Sequence, residues 1–344
     1  MKPSVALARF TTLGLGGPAA LFAEIEEGGD LVSGLEWARG KNSMPVFILG
    51  GGSNLVVSDE GFAGLVLHMR TRGRDFKENA GELRVEVAAG ETWDDVVADV
   101  VSRDAAGIEC LSGIPGSAGA APVQNIGAYG QEVASVIRQV RVLDRISLRE
   151  RQLDATACCF GYRDSIFKRE PDRFVILSVT LGLAKAGRPS VRYPELMAVL
   201  GDNPSVADVR IAVRALRRKK AMLIEEADPE PRSAGSFFTN PIVTTAVADA
   251  IAARVDGDMP RYPLPDGRVK LAAGWLIERA GIAKGFRMGP VGVSSKHALA
   301  LVHHGGGTTA DLLRLARHVH AAVRDRFGVA LVPEPVFLGL DRPT

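Results

Sequence analysis

Gly113-Ile114-Pro115-Gly116-Ser117-Ala118-Gly119-Ala120-Ala121-Pro122-Val123-Gln124-Asn125-Ile126-Gly127-Ala128-Tyr129-Gly130 is the stretch on which the reading of the fold turns. It holds five glycines, two prolines and no formally charged side chain. Glycine lets a backbone adopt positive φ and lets a second chain or a ligand come close. Proline fixes φ and removes a donor. Such a run, set between strand-like and helix-like segments, predicts a long shaped loop that presents backbone N–H groups, the kind that cradles phosphates. A plain glycine-rich connector has the same composition, so this stretch alone leaves both readings open.

A second glycine run, Gly50-Gly51-Gly52-Ser53-Asn54, follows the apolar Val46-Phe47-Ile48-Leu49, which reads as a buried strand. A strand running into a glycine turn suits a pyrophosphate. The run is neither of the common nucleotide fingerprints. Asn54-Leu55-Val56-Val57 continues as a strand instead of opening a helix, and no Gly-Lys-Ser/Thr follows. Two separate glycine loops could therefore grip one extended, phosphorylated cofactor.

Taken in order, Gly50–Asn54, Ile114-Pro115-Gly116, Gln124-Asn125-Ile126-Gly127-Ala128-Tyr129-Gly130, Gly161-Tyr162-Arg163-Asp164-Ser165, Ala234-Gly235-Ser236-Phe237-Phe238 and Pro333-Glu334-Pro335 resemble the UDP-N-acetylenolpyruvoylglucosamine reductases. The lead-in Thr11-Thr12-Leu13-Gly14-Leu15-Gly16-Gly17 resembles the start of the same family. Each motif is weak by itself; the ordered set is specific and spans nearly the whole chain. The resemblance implies an α+β protein. It would have a two-subdomain FAD-binding region, of the PCMH or vanillyl-alcohol-oxidase-like kind, and a C-terminal α+β substrate-binding domain. The expected divisions are 1–70, with a C-terminal strand in 329–344 packing back on it, then 71–224, then 233–328.

The resemblance also implies an activity and a site. Non-covalent FAD would be held by Gly50, Gly51, Gly52, Ser53, Asn54, Ile114, Pro115, Gly116, Ser117, Gln124, Asn125, Gly127, Ala128, Tyr129 and Gly130. NADPH would reload the flavin, and UDP-N-acetylglucosamine enolpyruvate would then be reduced to UDP-N-acetylmuramate, the two nucleotides using one pocket in turn. No residue reads the extra phosphate of NADPH, so NADH stays open. Arg163 would sit over the enolpyruvyl group, Ser236 would give a proton, and Glu334 would stand beside Arg163. An arginine suits that role because its guanidinium is always charged and forks onto a carboxylate. A serine needs help from a neighbouring cation or strong donors before it can give up a proton. Tyr193, Lys220, Asn240 and Lys270 match positions that hold the substrate diphosphate, with Lys219 as an alternative register for Lys220. Tyr193 marks the class that closes a tyrosine-bearing loop.

Composition bounds the alternatives. Lys and Arg total 42 and Asp and Glu 40, a net charge of +2, which offers no nucleic-acid surface. Residues 1–9 lack an apolar core, against a secretory signal, and no run of about eighteen apolar residues exists to span a bilayer. Cys110, Cys158 and Cys159 fit neither a zinc pattern nor a disulfide framework. The six histidines, His68, His297, His303, His304, His318 and His320, form no metal constellation. A cytoplasmic monomer with no metal is expected. Two other readings stay open: a flavin-dependent alcohol or lactone oxidase sharing the FAD region, and a nucleotide-sugar binding protein without catalysis.

Periodicity places the elements. Leu31, Leu35 and Ala38 predict a helix capped by Asp30; Thr92 with Asp95 predicts a capped helix carrying Trp93, Val96, Val97, Val100 and Val101, with Gly107 as its stop. Residues 65–67, 83–87, 136–142 and 174–183 read as strands. The polar stretch 70–81 and the acidic, proline-bearing stretch 225–232 read as boundaries. Helices are expected from the stripe Val206, Val209, Val213, Leu216, at 271–280, and at 309–327 with Gly328 ending it.

Overall fold

The computed structural model describes residues 1–344 except 42, 226–229, 231, 256 and 344. The chain divides into two compact units. The first comprises Met1–Val5, Ala19–Gly52 and Ala63–Leu223; the second comprises Ala6–Pro18, Ser53–Phe62 and Ile224–Thr344. Residues 1–70 and 71–224 are expected as two subdomains of one FAD-binding region. The structure gathers most of both into one unit with a shared core and gives the segments 6–18 and 53–62 to the other.

In the first unit, β1 (Lys2–Ala6), β2 (Pro18–Ile25), β3 (Val46–Leu49) and β5 (Phe62–Met69) form a sheet in the order β1-β2-β5-β3, while β4 (Leu55–Val57) belongs to the second unit. Helix α1 (Gly28–Gly40) links β2 to β3, and β3 runs parallel to β5. The helix buries Leu31, Leu35 and Ala38, the predicted face. Its cap is Glu27, and Asp30 lies three residues in, closing a capping box. Either carboxylate can take the first free amides, so the sequence did not distinguish cap from partner.

The second sheet of this unit carries β6 (Arg74–Asn79), β7 (Glu82–Ala88), β8 (Ala105–Ala106), β11 (Ile137–Asp144), β12 (Arg149–Asp154) and β13 (Phe174–Lys185), in the order β12-β11-β13-β7-β6 with β8 also on β13. The polar stretch read as a boundary holds β6. It is an edge strand, polar because one side meets water, and it pairs with β7 from Arg74↔Val87 to Asn79↔Glu82. Helix α2 (Trp93–Ser102) follows β7 and buries Trp93, Val96, Val97, Val100 and Val101. Thr92 is its N-cap without a side-chain capping bond; its backbone bridges Ser117. The helix stops at Ser102, and Gly107, at φ +136°, lies beyond β8. One apolar cluster runs from Ile25 and Leu65 through Trp93 and Val140 to Leu181, filling both sheets. Helices α3 (Ile166–Arg169), α4 (Pro194–Met197) and α5 (Val206–Lys219) complete the unit, with Val209, Val213 and Leu216 buried around Cys110 and Leu196.

In the second unit, β14 (Ser233–Ser236), β18 (Arg287–Met288), β19 (Val291–Val293) and β20 (Ala300–His303) form a sheet in the order β14-β20-β19-β18. A smaller sheet orders β15 (Ile242–Thr244), β17 (Arg268–Leu271) and β16 (Arg261–Pro263). Helices α6 (Thr245–Ala252), α7 (Ala273–Arg279) and α8 (Thr309–Phe327) pack around them. Strand β21 (Val336–Leu338) pairs in parallel with β4. Helix α8 buries Leu312, Leu315, Ala316, Val319, Val323 and Phe327, and Gly328, at φ +70°, ends it. Of the acidic stretch, 226–229 and 231 lie outside the described residues; Glu230 is buried, and its carboxylate accepts from Ser294 Oγ at 2.5 Å.

Candidate active site

The two glycine runs meet, backbone to backbone, in the first unit. A Cβ on Gly51 would fall 2.6 Å from Gly116 Cα, and one on Gly50 would fall 2.7 Å from Ser117 Oγ. Only glycine allows that approach, so the runs are tied by contact and not by composition alone. Trp93 N–H donates to Gly116 O at 3.0 Å and Gly113 N–H donates to Asp94 at 2.6 Å, which anchors the loop to the start of α2. Gly113 and Gly116 take φ of +72° and +122°. Of the earlier run, Gly50, Gly51 and Gly52 belong to the first unit and Ser53 and Asn54 to the second.

The end of the loop is a two-residue hairpin. Strands β9 (Gly127–Ala128) and β10 (Gln131–Glu132) pair as Gly127↔Glu132 and Ala128↔Gln131. Tyr129 and Gly130 turn it with φ of +49° and +85°, the sign at both positions that a primed hairpin turn demands. Gln131 Nε2 donates at 2.7 Å to Glu109, which is fully buried, and Gln131 Oε1 accepts from Cys110 N–H at 2.9 Å.

Arg163 stands on this hairpin. The segment Gly161–Asp164 is itself a tight turn closed by Gly161 N–H to Asp164 O at 3.0 Å, with Arg163 at φ +53°. From there the guanidinium donates to Gly127 O at 2.8 Å and Asn125 O at 3.3 Å. Its cation lies 5.6 Å from the Tyr162 ring centre, and its own carbonyl accepts from Lys168 Nζ at 2.7 Å. Two backbone carbonyls direct the guanidinium fork.

Tyr193 and Lys220 come together around Tyr129. The rings of Tyr129 and Tyr193 meet edge to face at 5.4 Å, and Lys220 Nζ lies 5.8 Å from the Tyr129 ring centre. Lys220, the C-cap of α5, is half-buried and also pairs with Glu195, whereas Lys219 is exposed. Burial pushes the Tyr129 phenol up to about 12, so it stays a neutral donor. Nearby, burial brings the Arg217 guanidinium down to about 10. Asp94 draws in Arg210 at 2.6 Å and Arg214 at 2.5 Å. Burial works to raise the Asp94 pKa, but these donors and the Gly113 amide outweigh it and hold it below the ordinary carboxylate value.

In the second unit, Ser236 ends β14 beside Gly235 at φ +72° and pairs with Ala300. Phe237 and Phe238 are fully buried behind it. Glu334 N–H donates to Phe237 O at 2.8 Å and Phe238 bridges Pro333, so Ser236 and Glu334 lie on adjoining backbones. Asn54 Nδ2 donates to the Glu334 carbonyl at 3.3 Å. Asn240 Oδ1 accepts from Ala273 N–H at 2.9 Å at the start of α7. Lys270 faces Ile242 and Tyr262 in its sheet, its Nζ 5.9 Å from the Tyr262 ring centre. Arg163 belongs to the first unit, and Ser236 and Glu334 to the second.

Among the described residues, no group of three or more His, Cys, Asp or Glu could hold a metal ion. His303 Nδ1 bonds Leu13 O, His318 stacks on Phe286 at 5.4 Å and His320 bonds Leu331 O. All three cysteines are free thiols. No described helix is long and apolar enough to cross a membrane. The sequence reading missed Glu132, Asp94, Glu109 and Glu195, acids whose partners lie elsewhere in the chain. Glu132 lies two residues past the turn at Tyr129-Gly130, where its backbone pairs with Gly127.

Residues 19–146 match a family described as an FAD binding domain, and residues 226–338 match the C-terminal domain of UDP-N-acetylenolpyruvoylglucosamine reductase. The UDP-N-acetylenolpyruvoylglucosamine reductase of Thermobifida fusca is 49% identical over 98% of this chain and 98% of its own. That of Salinispora arenicola is 46% identical over 96% and 94%. The crystal structure of the reductase from Thermus caldophilus superposes with a TM-score of 0.68 at 25% identity, covering 97% of each chain. Where the two runs meet, the Gly51 and Gly116 backbones approach without intervening side chains, with Ser117 Oγ beside Gly50.

Proposed function

The chain belongs to the UDP-N-acetylenolpyruvoylglucosamine reductases, and from that premise we propose that Arg163, Ser236 and Glu334 carry out the reduction of UDP-N-acetylglucosamine enolpyruvate to UDP-N-acetylmuramate, a step in making peptidoglycan precursors. FAD, held by the residues of the two glycine runs and reduced by NADPH, supplies the hydride when bound. An enolpyruvyl ether resists hydride because its own carboxylate repels negative charge. Hydride arriving at the terminal carbon leaves an anion at the adjacent carbon, conjugated with that carboxylate. Arg163 stabilises it electrostatically, an effect for which losing one contributor costs about a hundred- to a thousand-fold in rate, and Glu334, as a neutral acid, donates a hydrogen bond to it. Ser236 then gives its proton to that carbon. Tyr193, Lys220, Asn240 and Lys270 hold the diphosphate, whose charge calls for cations and donors.

The observation that carries this reading is Arg163 gripping the carbonyls of Asn125 and Gly127: the expected catalytic cation is braced on the expected flavin loop. The same reading has the protein act as a monomer in the cytoplasm; its three free thiols suit a reducing compartment.

Rapid mixing under anaerobic conditions separates the two half-reactions. In Ser236→Ala, NADPH should bleach the flavin at the normal rate, while return of colour on adding the enolpyruvyl nucleotide slows by about a hundred-fold or more. Equal loss in both halves would falsify the serine's role.

A further inference from the structure

We propose that Glu132 is a positioning residue for Arg163, acting through the two residues whose carbonyls hold the guanidinium. Asn125 is 1% exposed and sits at φ +43°, and its side chain has every polar position engaged. Its Nδ2 donates to Glu132 Oε2 at 2.9 Å and to the Gly161 carbonyl at 2.9 Å; its Oδ1 accepts from Ala134 N–H at 3.1 Å. The Glu132 carboxylate thus fixes Asn125, whose carbonyl receives one branch of Arg163. The Glu132 backbone pairs with Gly127, whose carbonyl receives the other.

The result is a closed ring. Asn125 reaches from the loop to Gly161, and Arg163, two residues on from Gly161, reaches back to Asn125. There is no slack in it. A Cβ on Gly127 would lie 2.9 Å from Glu132 Cγ and 3.1 Å from Arg163 Nη1. Glu132 therefore bears on both supports of the arginine. A carboxylate acceptor also makes a shorter, stronger bond than a neutral one, which suits it to holding a buried amide in a left-handed backbone. Two left-handed non-glycine residues, Asn125 and Arg163, stay in that conformation only when their surroundings over-determine it. The Glu132–Asn125 pair supplies that constraint. Catalytic groups must be aimed closely, since an error of about 1 Å can cost a hundred-fold in rate.

This inference rests on the role assigned above to Arg163, and the experiment separates the two. Half-reactions are measured in the flavin-loaded full chain for E132A, E132Q, R163A and the double variant R163A/E132A. E132A should leave flavin bleaching by NADPH intact and lower kcat of the enolpyruvyl step by about a hundred-fold, with KM little changed. E132Q keeps an amide oxygen for Asn125 and should restore most of that loss. In the R163A background, E132A should cost almost nothing more, because the group it aims is gone. Wild-type kcat in E132A, equal loss of both half-reactions, no recovery in E132Q, or a full further loss on top of R163A would each overturn the proposal. If R163A itself leaves the enolpyruvyl step unimpaired, the role of Arg163 fails first and the positioning role falls with it. Should E132A not retain FAD, E132D carries the test, since its carboxylate stops one methylene short of Asn125 and should slow the same step.

Discussion

Asp94 shows how much one side chain can tie together. Its carboxylate accepts from the Gly113 amide, from both branches of Arg210 and from Arg214, while its side chain is only 22% exposed. It therefore joins α2, the first residue of the glycine loop and the basic helix α5. Replacing it by asparagine keeps an oxygen for Gly113 but leaves two guanidinium groups uncompensated. The expected cost is about 2–3 kcal/mol, toward the lower side for a buried pair because the site is partly wet. The sign of its pH dependence follows from its depressed pKa. The folded state binds the proton less readily than the unfolded one, so Asp94 adds stability above the ordinary carboxylate pKa of about 3.9. That stability is lost as pH falls through the lower folded value. Urea titrations of wild type and D94N should differ by a constant amount above about pH 5 and converge below about pH 4. A gap that widens on acidification would contradict this account. Neither arginine partner was visible in the sequence, because Arg210 and Arg214 lie 116 and 120 residues away.

Elements with a full period in their own residues were the easiest to read. Helix α8 has its apolar stripe, its left-handed glycine stop and the capping box of Thr308 with Asp311, all local. Thr308 Oγ1 accepts from Asp311 N–H at 3.1 Å, so Thr308→Ala should cost about 1 kcal/mol, read by chemical denaturation, with the rate of the enolpyruvyl step unchanged. An unchanged midpoint would show that this cap contributes nothing. Helix α5 is equally legible, with Val206, Val209 and Val213 buried and Ser205 capping it. Edge strands and short strands were not. Strand β6 reads as a polar boundary because it is an exposed edge strand held by its pairing with β7, not by apolar residues of its own. Strands β18 and β19 are two and three residues long, too short for an alternation to register against background.

At the scale of the whole chain, the two units interleave in sequence. Residues 6–18 and 53–62 leave the unit that surrounds them, and β21, near the end of the chain, pairs with β4 from its first sixty residues. A linear cut at 70 could not anticipate that 6–18 and 53–62 leave the unit around them, since strand pairing carries no marker in composition; the C-terminal strand packing back on 1–70 is expected from the resemblance alone. A ligand that binds only the folded chain stabilises it by mass action, by about 2.7 kcal/mol at a hundred-fold excess over Kd. Stripping the flavin should therefore lower Tm, and added FAD should restore it in proportion to the logarithm of its concentration. A Tm indifferent to FAD would speak against the glycine cradle as its site.

The sequence by itself determined the family, the ordered motifs and every long helix, because those depend on residue type and local spacing. It also named Arg163 and the glycine loop separately. Only the tertiary structure decided that Arg163 rests on Asn125 and Gly127, that Glu132 sets both, and that Gly51 touches Gly116. Such contacts depend on where backbones far apart in the chain come to lie, and a carbonyl oxygen, which every residue carries, leaves no mark in the sequence.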